Sequence, residues 1–155
     1  MKGNEKIIAK LNALLADELT AINQYMVHSE MCANWGYDKL HGAIEERAIT
    51  EMKHAEKLIG RIIFLEGAPT VSVLNKITIG AQVEPQIEND WAAEDIAIKG
   101  YNEGIRLAVE VGDNGTRSML ESILEDEEGH IDWLEAQLDQ IKQMGIQNYL
   151  VEQSD

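Results

Sequence analysis

The chain is poor in the residues that staple, kink or span: one cysteine, two prolines and one phenylalanine in 155 residues. Its lone thiol, Cys32, cannot close an internal disulfide, which agrees with a reducing compartment and leaves it a packed or idle side chain. With no cysteine pairs there is no ligand set for a structural zinc site and no rubredoxin-like motif. No stretch reaches the roughly 18 uninterrupted apolar residues of a membrane span. Met1-Lys2-Gly3-Asn4-Glu5 leads into a charged helix rather than a signal sequence, so a cytoplasmic protein without membrane contact is expected. Basic residues are also scarce, 13 Lys plus Arg against 28 Asp plus Glu, and they form no patch. A phosphate backbone would be repelled, so no nucleic-acid partner is expected. Acidity also serves solubility alone, and by itself it assigns nothing.

What remains is helical. The length suits a single domain spanning 1–155 that buries about two thirds of its unfolded surface. Ile7, Leu11, Leu14, Leu15, Leu19, Ile22, Tyr25 and Met26 recur at three and four, which predicts a helix over about 5–34. After a turn near Gly36, Leu40, Ile44, Ala48, Ala55, Leu58, Ile62 and Leu65 trace a second, stopped by Gly67-Ala68-Pro69. Residues 67–83 keep no helical period and read as a long connection. Pro85 suits the first turn of a third helix running to about Val111. Gly112-Asp113-Asn114-Gly115 reads as a turn before a fourth, from about Thr116 to Met144. Gly145 ends it, and Ile146–Val151 predict a short fifth helix or docking tail. Two hairpins joined by one long connection define an all-α, antiparallel four-helix bundle with a ferritin-like crossover.

Six residues interrupt these apolar stripes at one spacing. Glu18, Glu51 and His54 recur 76 positions on as Glu94, Glu127 and His130, and Ile22/Ile98 and Tyr25/Tyr101 obey the same offset. Within each Glu-x-x-His the side chains lie about 60° apart on one helix face and can grip one cation together. A single Glu-x-x-His is commonly a solvated pair or part of a salt bridge. Two copies on core stripes, each with a glutamate 33 residues upstream, match the ligand set of di-iron bundles. Four buried glutamates without cations would repel one another, and two divalent cations would neutralise them. Carboxylate with imidazole suits iron or manganese.

Tyr25 and Tyr101 lie two turns beyond Glu18 and Glu94 on the same face; each reads either as core packing or as a phenol that bonds a ligand or donates an electron. His28 and His41 have no counterpart at the offset and read as surface residues. Met52, one position after Glu51, points about 100° away, toward the outside of the bundle. A thioether there fills an interface, or binds haem iron where another subunit supplies the other walls.

These segments resemble bacterioferritin over essentially the whole chain: Glu18-Leu19-Thr20-Ala21-Ile22-Asn23-Gln24-Tyr25, Glu51-Met52-Lys53-His54-Ala55, Arg61-Ile62-Ile63-Phe64-Leu65-Glu66-Gly67 and Asp126-Glu127-Glu128-Gly129-His130-Ile131-Asp132-Trp133-Leu134-Glu135. The resemblance implies a homo-oligomeric shell of 24 subunits built from dimers. It implies a ferroxidase centre in each subunit that oxidises Fe(II) with O2 or H2O2, and storage of the product as a ferric mineral. By that analogy Glu51 and Glu127 bridge two irons, Glu18 with His54 and Glu94 with His130 cap one each, and Tyr25 joins the catalytic set. Met52 becomes the axial ligand of a haem b shared between two subunits, with Leu19, Ile22, Asn23, Met26 and Ile49 as pocket walls. A ferredoxin is the implied electron donor for iron release. Some members carry a histidine and an aspartate as an inner-surface iron site where this chain has Glu46 and Thr50, so that site does not carry over.

Three rivals stay open on sequence. A rubrerythrin-type di-iron peroxidase shares the bundle without a storage cavity. A non-catalytic bundle would use the six residues as a polar network to buffer metal or scaffold partners. A miniature ferritin is disfavoured because it builds its site between subunits.

Overall fold

The computed structural model describes residues 1–154 and shows four long helices and a short fifth, with no strand among the described residues. They are α1 (Glu5–Trp35), α2 (Asp38–Phe64), α3 (Val83–Glu110), α4 (Asn114–Met144) and α5 (Ile146–Val151). The bundle is the ferritin-like fold that the periodicity predicts. α1 pairs with α2 and α3 with α4, α1 packs along α3, and α5 folds against α4.

Local chemistry sets the ends. Asn4 caps α1 by accepting from the backbone N–H groups of Lys6 and Ile7, and Gly36 closes it in the left-handed region at φ 85°. α2 stops at Phe64, just ahead of the Gly67-Ala68-Pro69 signal, because Glu66 turns to φ 63° and the Gly67 N–H reaches back to the Ile62 carbonyl at 2.9 Å. The expected four-residue turn after α3 is shorter than the composition implies. Asp113 is an N-cap, its carboxylate accepting from the Thr116 N–H at 3.0 Å, so Asn114 and Gly115 already lie inside α4. Arg61 of α2 bonds the same cap, donating to Asp113 at 2.9 Å and to Thr116 Oγ1 at 2.9 Å, and so ties one hairpin to the other.

The core is two apolar blocks. One gathers Leu11, Leu15, Leu58, Ile62, Tyr101, Leu120 and Ile123. The other gathers Tyr25, Cys32, Leu40, Ile44, Ile87, Leu134, Ile141 and Tyr149. Along every long helix a buried glutamate sits between them: Glu18, Glu51, Glu94 and Glu127. The tail docks as expected, with the Tyr149 hydroxyl donating to Gln137 at 2.7 Å. Burial raises the Cys32 thiol to about 11 and it donates to Gln86 at 3.4 Å, so this is a packed, inert cysteine.

The connection after α2 contains no strand, despite its β-branched residues. Its backbone is held instead by polar side chains of α1 taken in order. Asn12 bonds Ala68 and Thr70, Thr20 accepts from the Asn75 N–H at 2.8 Å, Gln24 from Thr78 at 3.1 Å, and His28 from Gly80 at 3.0 Å. The crossover therefore runs up the flank of α1, and its peptide groups are satisfied by side chains in place of a ladder. At its end Gly80 is indispensable, because a Cβ there would stand 2.4 Å from the Gln86 backbone nitrogen. Gly80→Ala is expected to destabilise the protein by about 1–3 kcal/mol through overpacking, read as a lowered midpoint in chemical denaturation with an unchanged slope.

Candidate metal centre

Each helix of the bundle delivers its glutamate, and α2 and α4 add the histidine one turn on, so the six residues converge in the layer between the two core blocks. All six are at most 2% exposed. Both imidazoles turn Nδ1 inward. His54 Nδ1 lies 2.9 Å from Glu127, 3.3 Å from Glu51 and 3.6 Å from Glu18. His130 Nδ1 lies 2.8 Å from Glu51, 3.3 Å from Glu94 and 3.9 Å from Glu127. The rings stack with centroids 6.5 Å apart.

The donor atoms fall into two overlapping groups, Glu18, Glu51, His54 and Glu127, and Glu51, Glu94, Glu127 and His130, each with its ligand atoms within 4.8 Å of one another. Glu51 and Glu127 belong to both. Each group offers three carboxylates and one imidazole, hard oxygen donors with one borderline nitrogen, and could hold one divalent ion. Glu18 Oε2 and Glu94 Oε2 are fully buried with no hydrogen-bond partner, and Glu51 Oε1 and Glu127 Oε1 have only a histidine Nδ1 within reach, at 2.8 and 2.9 Å. Buried polar atoms are ordinarily paired, so unpaired carboxylate oxygens within this cluster fit a cation.

Without cations the cluster manages its charge with protons. Burial, with Glu18 alongside, pushes Glu51 well above the ordinary carboxylate range. Burial and the neighbouring Glu127 do the same to Glu94. For Glu127 burial is outweighed by hydrogen bonds from Glu94 and His54, which hold it low. Burial opposes the His54 imidazolium, yet bonds to Glu127, Glu18 and Asp126 raise it to about 10.

The tyrosines cross over. Tyr25 of α1 donates to Glu94 of α3, and Tyr101 of α3 donates to Glu18 of α1. Both phenols are pushed up, by burial first and then by the carboxylates they face. Tyr101 is thus core and hydrogen-bond partner at once, and neither tyrosine bonds the glutamate of its own helix.

Met52 is 45% exposed on the outer face, as the helix period requires. It lines a groove of about 340 Å³ with Ile22, Met26, Ala48 and Ile49, rimmed by Glu30 and Glu45. Leu19 is partly buried and packs on the core, as Ile22 does, and Asn23 donates to the Leu19 carbonyl at 2.9 Å. Glu46 is exposed, and the Thr50 hydroxyl donates to the Glu46 carbonyl at 3.1 Å.

His28 is not a surface residue. It is fully buried, with Nδ1 2.8 Å from Asp90 and Nε2 accepting from the Gly80 N–H at 3.0 Å, and Gln24 donates to the same Asp90 oxygen at 2.8 Å. The accepting Nε2 requires the proton on Nδ1, donated to Asp90. The repeat misled here, because position 104 opposite His28 is glycine. The period did contain the signal, since His28 continues the buried face of Tyr25 and Cys32. His41 is half-buried and bonds Ser29 at 2.9 Å.

Fold and site together define the class of ferritin-like bundles, and the family model described as ferritin-like domain matches residues 8–144. The chain is 43% identical to bacterioferritin of Rhodobacter capsulatus and 41% identical to that of Brucella melitensis biotype 1, covering 96% of this chain and 92% of each relative. It is 38% identical to bacterioferritin of Mycobacterium tuberculosis, over 96% of this chain and 94% of the relative. The chain belongs to the bacterioferritin family.

Replacing His28 by alanine is expected to cost roughly 3 kcal/mol, since it orphans the Gly80 N–H and removes a partner of buried Asp90; urea unfolding of the variant beside the parent checks this.

Proposed function

We propose that this chain stores iron, and that each copy oxidises Fe(II) to Fe(III) at the buried centre before the ferric product enters a mineral inside a homo-oligomeric shell of 24 subunits. Residues 1–155 act as one domain in this reading. The observation that carries it is the pair of overlapping buried groups sharing Glu51 and Glu127, with an oxygen of Glu18 and one of Glu94 left unpaired in the buried cluster. Membership in the bacterioferritin family supports storage as the purpose.

Fe(II) is the substrate. Glu18 with His54, and Glu94 with His130, each secure one ion, while Glu51 and Glu127 are shared. As ions enter, protons held by these carboxylates and imidazoles leave, which offsets most of the added positive charge within a dry core. Two Fe(II) give up one electron each; O2 takes the two electrons with two protons to form H2O2, or H2O2 takes them with two protons to form two waters. Carboxylates stabilise the higher charge and imidazoles hold the reduced ion. Tyr25 and Tyr101 hold Glu94 and Glu18 in place by donating to them, and Tyr25 is also a candidate electron source. The reaction belongs in the cytoplasm, with a ferredoxin as electron donor for iron release.

The outer groove fits haem: an exposed thioether stands among apolar side chains on a face that a second copy would cover. Met52 from each of two subunits would hold the iron, and bound haem supplies one-electron transfer. Ile22, Met26 and Ile49 would exclude water from the macrocycle.

Stopped-flow absorbance after aerobic Fe(II) addition to the metal-free protein, with light scattering on the same sample, tests the central reading. Fast oxidation saturating near two irons per chain in a 24-subunit particle is expected, and Glu18→Ala should slow it at least about tenfold with assembly intact. Slow oxidation in a small oligomer would favour a metal-buffering or scaffolding bundle. Met52→Leu should lose the haem Soret band from a particle of unchanged mass; retention of the band would remove Met52 as ligand.

A further inference from the structure

The two histidines of the centre are supported differently. His54 Nε2 lies 2.9 Å from Asp126 Oδ2, so an imidazole that turns Nδ1 to a metal keeps its other proton on Nε2 and donates it to a carboxylate. His130 also turns Nδ1 inward, but its Nε2 is buried with no partner. The internal repeat accounts for the difference. Asp126 precedes Glu127 as Thr50 precedes Glu51, 76 positions earlier, and so Thr50 occupies the corresponding place beside the second site. Its hydroxyl is committed to the Glu46 carbonyl of its own helix at 3.1 Å. One half of the pseudo-symmetric centre has an outer carboxylate and the other has a hydroxyl turned to the backbone.

Such a carboxylate fixes the ring of a ligating histidine and makes its coordinating nitrogen a stronger donor, and losing it typically costs about 10–100-fold in metal affinity. We propose that the two metal positions are unequal: the one at Glu18 and His54 binds more tightly than the one at Glu94 and His130, because Asp126 positions His54 and nothing equivalent positions His130. This rests on the metal-centre reading above. Asp126 is a positioning residue, and at 49% side-chain exposure it can be changed without opening the core.

The test is an anaerobic titration of the whole assembled protein with Co(II) alone, followed by calorimetry and by the visible absorption of bound cobalt. Two Co(II) per chain are expected in two resolved steps about tenfold or more apart. Asp126→Ala should weaken the first step about 10–100-fold so that the steps merge, and Asp126→Asn, whose amide oxygen still accepts, should keep the first step tight. Thr50→Asp should strengthen the second step about tenfold, and the gain should vanish in a His130→Ala background, as coupling through that imidazole requires. Two equal steps in the parent protein would overturn the inequality while leaving the centre standing. A Thr50→Asp gain that survives loss of His130, as a third ion held at the surface would produce, would overturn the attribution of the inequality to the outer carboxylate. No Co(II) bound at two per chain would overturn the metal centre itself and this inference with it.

Discussion

Four carboxylates are buried in one layer of this bundle, and their charge is the constraint around which the rest is arranged. Nothing apolar can pair with them and no lysine or arginine is among them, so the layer must be neutralised by protons, by the two imidazoles or by cations. In the metal-free state burial pushes Glu51 and Glu94 toward their protonated forms, and the carboxylates around His54 favour its imidazolium. That arrangement leaves Glu18 Oε2 and Glu94 Oε2 buried and unpaired. Divalent cations resolve the same charge more completely, and the site is therefore poised between two ways of compensating one electrostatic problem. The apolar blocks on either side keep water out and make that compensation obligatory.

The repeat solves the geometry economically, since one helix pair that carries Glu and Glu-x-x-His need only be used twice. Crossed phenols, Tyr25 to Glu94 and Tyr101 to Glu18, tie the copies together across the pseudo-symmetry. Where the copies diverge, a specific neighbour explains it. Gln24 and His28 hold the crossover peptide, whereas their counterparts Gly100 and Gly104 lie where α3 presses on α1; a Cβ on Gly104 would be 3.0 Å from Leu120 and 3.5 Å from Leu14. Asp126 and Thr50 diverge in the same way around the two histidines. A duplicated scaffold thus carries an asymmetric centre.

Interior and exterior are linked by one step of the helix. Glu51 faces the charged layer, and Met52, about 100° round, faces the outer groove. The same turn of α2 therefore serves a buried polar site and an exposed apolar face. Met26, Ile49 and Met52 exposed together form a surface that a monomer in water would not favour, and a second copy laid on it would bury it.

Much was legible in the chain itself. Helix number, order and faces follow from apolar spacing, because burying one stripe per helix is a local rule that leaves a periodic trace. The six residues of the centre were legible for the same reason, since each breaks a stripe at a repeated position. The outward direction of Met52 followed from helix geometry alone. Tertiary structure decided the rest. It buried His28 and Gln24, whose partners are peptide groups of a loop more than 50 residues away, and no local pattern announces which face such a loop will follow. It crossed the tyrosines between helices, and gave Asp126 to His54 while leaving His130 Nε2 bare. Sequence determines which faces of each helix are apolar or charged, because periodicity is a property of one helix; which side chain meets which depends on how four helices and a crossover close on one another, and only the folded chain contains that information.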